Sequence, residues 1–272
     1  MSLVDSNWLE KNLNKVKLLE CSWHMPNTDR DSYSEYLNEH IPGAKYFDLD
    51  DNSNKNTDLP HMLPSKSRWN RIISSFGIKN NDEIVIYDRS DIFSSCRCWF
   101  NFLYFGHSKE TVHVLDGGFE KWLNENRETN SDHKDFSKSN YNSKENSNLV
   151  KSIEQINENI TTNEFVLIDG RSLERFNGLV AEPRKGLKSG CISNSICIPF
   201  RSVLKNNKTF KDKSDLSMLF SGVLKDHKSN KVVFSCGSGV TACVLALAYS
   251  LINNNYTPTI YDGSWAEYGK TI

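Results

Sequence analysis

The chain says almost everything twice. TVHVLDGGFEKW (Thr111–Trp122) is echoed by TPTIYDGSWAEY (Thr257–Tyr268), and EIVIYD (Glu83–Asp88) by KVVFSC (Lys231–Cys236). WLEKNLNKVKLLECSW (Trp8–Trp23) pairs with SIEQINENITTNEFVLIDGRS (Ser152–Ser172), and HIPGAKYFDLDD (His40–Asp51) with CISNSICIPFRS (Cys191–Ser202). The four segments keep their order at a spacing of about 150 residues, too long for a solenoid repeat and right for one duplicated domain. Short β-branched runs such as VKLLE, EIVIYD, TVHVLD, FVLID, KVVFS and TIYD alternate with helical stretches. That alternation predicts an α/β fold, each half a mainly parallel sheet flanked by helices. Residues 126–148 are polar, rich in Ser, Asn and Lys, and carry no hydrophobic period. They read as a linker between domains at 1–125 and 149–272.

Composition narrows the functional classes. The formal net charge of the 272 residues is −1, so no global field favours nucleic acid or an anionic membrane. No apolar run approaches a membrane span of about 20 residues, and the N-terminus has no basic region followed by an apolar core. A cytoplasmic protein is expected. Instead of an export signal, DSNWLEKNL reads as the opening of a helix. The seven cysteines are unevenly spaced and odd in number, which argues against a disulfide framework. No paired C-x-x-C hooks occur, so no structural metal site is expected.

The duplication also isolates one thiol. In parallel sheets, ligands sit beyond the carboxyl ends of the strands. KVVFSC ends at that place with Cys236, whereas its counterpart in the first repeat is Asp88. Gly237–Ala242 spell G-S-G-V-T-A, which also fits a dinucleotide fingerprint. Only one helix and one strand follow, too little for a nucleotide-binding half. The tempting ribose ligand, Asp262, is matched by Asp116 in a repeat without those glycines. A nucleophilic thiol explains more. A loop entering a helix aims N–H groups at one point, glycines permit the curl, and a thiol at that focus is favoured as thiolate. A cysteine-dependent phosphatase would need an arginine six residues on, where this chain has Ala242.

CGSGVTAC (Cys236–Cys243) resembles the active-site loop of the 3-mercaptopyruvate sulfurtransferases of the rhodanese superfamily. The resemblance extends through HIPGAKYFDLDD, LPHMLPS, FGHSKETVHVLDGGFEKW, RFNGLVAEPRKG and YDGSWAEYG, nearly the whole chain. It implies two tandem rhodanese-like domains with the reactive cysteine in the second, and no cofactor. Cys236 would carry a persulfide, in a loop formed with Gly237, Gly239, Val240 and Thr241. Arg175 and Arg184 would hold the carboxylate and carbonyl of 3-mercaptopyruvate. Ser238, His61 and Asp50 would form a proton relay, with Asp51 competing for the last role and Asp58 close by. Thioredoxin, a small thiol or cyanide would take the sulfur. Arg171, in DGRS, is expected to fix its loop. Thiosulfate sulfurtransferases tend to carry basic residues after the cysteine, where this chain has Gly237 and Ser238, so a thiosulfate:cyanide activity is the alternative. A noncatalytic binding module is a third reading. The family resemblance leaves a mitochondrial address open, although no presequence is visible. One departure stands out: Cys191 and Ser193-Asn194 replace the usual His and Pro-Gly, which the first repeat keeps as His40 and Pro42-Gly43.

Overall fold

The computed structural model describes residues 2–132, 137–225 and 231–270; residues 133–136 of the expected linker lie outside them. The first half runs β1 (Leu3–Val4), α1 (Ser6–Asn12), β2 (Lys17–Glu20), α2 (Ser32–Asn38), β3 (Ala44–Tyr46), α3 (Lys66–Ser75), β4 (Ile84–Tyr87), α4 (Ser95–Tyr104), β5 (Val112–Leu115) and α5 (Gly118–Asn124). The second half repeats the series as β6 (Val150–Lys151), α6 (Ile153–Thr162), β7 (Val166–Asp169), α7 (Leu173–Phe176), β8 (Ile196–Cys197), α8 (Lys213–Leu224), β9 (Val232–Ser235), α9 (Thr241–Ile252), β10 (Ile260–Tyr261) and α10 (Ser264–Tyr268). The two sheets are ordered β1-β5-β4-β2-β3 and β6-β10-β9-β7-β8, so the second is the first repeated strand for strand. Every pairing between these strands is parallel.

The inner strands IVIY (β4) and VVFS (β9) are buried throughout, as strands covered by helices on both faces must be. The helices start where short polar side chains can cap them. Asp5 accepts from the Trp8 amide at 2.7 Å, and Ser152 forms a capping box with Gln155. Around the first sheet, Leu9, Leu18, Val85, Tyr87, Phe119 and Trp122 build one core; Ile156, Phe165, Leu167, Val233, Tyr261 and Trp265 build the other. The sequence pattern does not mark β1, β3, β6 and β8, which are only two or three residues long and too brief to show alternation.

The chain divides into two compact units, and the division does not follow the sequence halves strictly. Unit 1 comprises 1–55, 63–146 and 206–209; unit 2 comprises 56–62, 147–205 and 210–272. The polar segment at 139–146 runs along unit 1. The Tyr141 amide donates to Ser74 Oγ at 2.9 Å, the Ser143 amide to Asn70 Oδ1 at 2.9 Å, and the Lys144 amide to the Phe105 carbonyl at 3.0 Å. Tyr141 itself is buried. These bonds satisfy backbone that composition alone assigns to solvent.

Candidate active site

Cys236 directly follows β9 and is 2% exposed. Two later residues pin the loop that follows. The Trp265 amide donates to the Cys236 carbonyl at 3.0 Å, and the Ala266 amide to the Gly237 carbonyl at 2.9 Å. Ser264, fully buried, contributes its hydroxyl. Its Oγ accepts from the Cys236 amide at 3.2 Å and the Gly239 amide at 3.1 Å, and donates to the Tyr261 carbonyl at 2.8 Å. Ser264 has φ +49°, a left-handed conformation that costs a non-glycine residue about 1 kcal/mol. The three hydrogen bonds hold it there.

The two loop glycines serve different needs. Gly239 has φ +73° and is required by backbone conformation. Gly237 marks a close approach, since a Cβ there would stand 3.1 Å from Arg175 Nη2, a tight contact, and 3.8 Å from Arg184 Nη1. Both guanidinium groups therefore come to the backbone next to the thiol. Val240 is buried and caps α9, which Thr241 opens, and its carbonyl accepts from the Cys243 amide at 3.1 Å. Cys243, one helical turn on, is buried and donates its thiol to the Gly239 carbonyl at 3.2 Å.

Arg175 lies on α7, a single turn capped by Ser172. Its Nε and Nη2 donate to the two oxygens of Glu182 at 3.2 and 2.6 Å. Glu182 also accepts from Arg171 Nη1 at 2.8 Å. Arg171 is completely buried. It pairs with Asp169 at the end of β7 at 2.7 Å, donates to the Gly190 carbonyl at 2.8 Å, and lies 4.2 Å over the Trp265 ring. Burial opposes its charge, but Asp169 and Glu182 overcome that and raise its pKa. Arg171 thus fixes the loop, as its sequence context suggests.

Ser238 is 7% exposed, and its Oγ lies 3.0 Å from His61 Nδ1 and 3.4 Å from Arg184 Nη2. His61 belongs to the 56–62 segment that joins unit 2, is 4% exposed and has φ +61°. A buried histidine in left-handed backbone next to a proline is uncommon, and such strain concentrates at functional sites. Asp50 belongs to unit 1, where its Oδ2 accepts from Trp23 Nε1 at 2.6 Å. Asp51 pairs instead with Lys55 at 3.3 Å and is 74% exposed.

Ser264 and Glu182 escape a motif-based reading. A signal for Ser264 was present: the two halves read Asp116-Gly117-Gly118 and Asp262-Gly263-Ser264, differing only at the residue that reaches the thiol loop. For Glu182, adjacency to Pro183-Arg184 says nothing about the two arginines it joins. Burial and the Asp169 charge raise the pKa of Cys191 and push Cys197 up to about 12, which disfavours their thiolate forms. Among the described residues, no group of three or more His, Cys, Asp or Glu could hold a metal ion, and no helix is long and apolar enough to cross a membrane.

Comparison with known proteins agrees with this arrangement. Residues 5–125 and 152–271 each match the model of the rhodanese-like domain. The chain is 37% identical over 290 residues to thiosulfate/3-mercaptopyruvate sulfurtransferase 1, mitochondrial, of Arabidopsis thaliana, covering 98% of this chain and 75% of that protein. It is 36% identical over 275 residues to the 3-mercaptopyruvate sulfurtransferase of Mus musculus, covering 98% and 91%. Its fold is similar to that of SseA from Escherichia coli, solved in work on the catalytic mechanism of 3-mercaptopyruvate sulfotransferases. The TM-score is 0.85 at 27% identity, over 98% of this chain and 100% of that one.

Proposed function

The chain belongs to the rhodanese family, and from that premise we propose that it transfers the sulfur of 3-mercaptopyruvate, through a persulfide on Cys236, to a thiol or cyanide. The observation that carries this reading is the convergence of Cys236, Gly237, Arg175 and Arg184 in one unit. Arg175 and Arg184 take the donor's carboxylate and carbonyl through directed N–H bonds. The Cys236 thiolate attacks the donor sulfur, and an S–S bond forms as the C–S bond breaks. The electron pair of the broken bond leaves on carbon as the enolate of pyruvate, which takes up a proton there. Ser238, hydrogen-bonded with His61, would pass that proton, and the family resemblance assigns Asp50 to the same relay. The loop amides at the entry of α9 stabilise the persulfide. An acceptor nucleophile, such as reduced thioredoxin, a small thiol or cyanide, then removes the outer sulfur in a second half-reaction. No cofactor enters either half. The domain limits that fit this reading are 1–125 and 149–272, joined by 126–148. The reaction runs off the membrane, in the cytoplasm, or in mitochondria as the name of the Arabidopsis relative indicates for that protein.

That relative's name covers two donors, so thiosulfate is the second reading. Intact mass after brief exposure to each donor decides. A gain of about 32 Da on wild type and none on Cys236→Ser, faster with 3-mercaptopyruvate, is the expected result. A faster gain with thiosulfate favours the second donor. No gain with either leaves a binding module.

A further inference from the structure

We propose that Glu182 is a positioning residue that selects the charge of the sulfur donor, favouring a monoanion over a dianion by compensating the charge of Arg175. The inference rests on the sulfurtransferase reading above and adds the basis of donor choice.

The carboxylate of Glu182 is 2% exposed and sits between two arginines. Both of its oxygens accept from Arg175, and Oε1 also accepts from Arg171. Arg171 already faces Asp169, with both side chains buried. Asp169, Arg171, Glu182 and Arg175 thus form a chain of alternating sign, two charges of each kind, running from the end of β7 to the thiol loop. Of the five Arg175 N–H donors, the Nε hydrogen and one on Nη2 point at Glu182, leaving the Nη1 pair and one Nη2 hydrogen. Nη2 and Nη1 lie 3.1 and 3.9 Å from where a Gly237 Cβ would be, so this free edge faces the loop.

Two consequences follow. The bidentate contact fixes the plane of the guanidinium, so Arg175 offers directed hydrogen bonds at one place. The same contact cancels its charge at short range, so an incoming anion gains geometry from Arg175 without the full Coulomb attraction of a bare cation. A carboxylate with one charge is served by that arrangement. An anion with two charges would gain more from an uncompensated arginine.

The test compares pyruvate, a monoanion, with sulfate, a dianion, as bound probes, by titration calorimetry on wild type, Glu182→Gln, Glu182→Asp and Arg175→Gln. Glu182→Gln should tighten sulfate roughly tenfold relative to pyruvate, the size of one added charge at short range in a partly screened site. Glu182→Asp, which keeps the charge, should hold the wild-type ratio even where both affinities fall. Arg175→Gln should move the ratio the other way, and it decides the matter if Glu182→Gln does not fold. The ratio of kcat/KM for thiosulfate to that for 3-mercaptopyruvate should rise in Glu182→Gln mainly through KM. Equal weakening of both probes in Glu182→Gln, or an unmoved ratio in Arg175→Gln, overturns the inference and leaves Glu182 a structural brace. Persulfide formation with neither donor, alongside the predicted change in probe ratio, removes the sulfurtransferase reading and keeps the charge selection.

Discussion

After β4 the chain places Asp88, and after β9, at the same step of the repeated fold, it places Cys236. The backbone around the two is alike. The Phe119 amide donates to the Asp88 carbonyl at 2.9 Å as the Trp265 amide does to that of Cys236 at 3.0 Å. Gly118 and Ser264 hold left-handed φ values of +57° and +49°. The side chains diverge. Asp88 Oδ2 accepts from the Ser95 amide at 2.9 Å, Ser94 Oγ at 3.1 Å and Ser90 Oγ at 3.2 Å, so the first loop wraps its donors around a carboxylate of its own. In the second, the Ser264 hydroxyl accepts from two loop amides, and Cys236 stands where Asp88 does. The same fold corner closes on an internal carboxylate in the first unit and carries a thiol in the second.

The largest effect should come from the thiol. Cys236→Ser should lower sulfur transfer by at least ~10³-fold with the fold intact by circular dichroism. Adding Asp88→Cys to that variant should restore nothing, and a persulfide on the new thiol, seen by mass, would break the comparison. Next is the support behind the loop. Ser264→Gly, which makes the second corner read like the first, should cost roughly 10- to 100-fold in kcat/KM while leaving the melting temperature near wild type, since the left-handed strain is relieved as the hydrogen bonds go. An unchanged kcat/KM would show that the Cys236 and Gly239 amides need no acceptor.

A smaller effect concerns the first corner alone. Burial raises the Asp88 pKa to about 6, against the hydrogen bonds from Ser95, Ser94 and Ser90 that work to lower it. A folded carboxyl that titrates above its unfolded counterpart stabilises below the unfolded pKa, near 4, and loses that stabilisation as pH rises toward 6. The difference of about two units corresponds to roughly 3 kcal/mol. Denaturant titrations of wild type and Asp88→Asn from pH 4 to 7 should show this slope in wild type and its absence in the variant. The smallest effect belongs to the turns before β3 and β8. Gly43 at φ +82° is replaced in the second by Asn194 at φ +61°, which tolerates that region and donates to the Ile160 carbonyl at 2.8 Å. Asn194→Gly should therefore shift stability by no more than about 0.5 kcal/mol, measured by the same titrations.

The turns also show what the sequence made legible. Duplication, the parallel α/β class and the thiol corner could be read because each leaves a pattern of several residues, whereas the order of the strands could not. The exchange of His40 for Cys191 was visible, but its outcome was not. His40 is buried, stacked on Tyr36 with centroids 4.3 Å apart, and its Nδ1 lies 2.7 Å from the Tyr36 carbonyl, whereas Cys191 is exposed. The contact of His61 with Ser238 joins positions 177 residues apart and was open to sequence only through family resemblance. Glu182 was closed to it altogether, because its contacts depend on where the turns bearing Arg171 and Arg175 come together, and no spacing encodes that.

The close approach of Arg175 to Gly237 also limits how this loop can change over time. A side chain at 237 would meet a guanidinium 3.1 Å away that cannot simply swing aside, because Glu182 grips it by two hydrogen bonds. A basic residue after the cysteine would be accommodated more readily once that grip had loosened. The order of mutations would then matter as well as their number, because loosening the arginine first removes the tight contact that a side chain at 237 would otherwise meet.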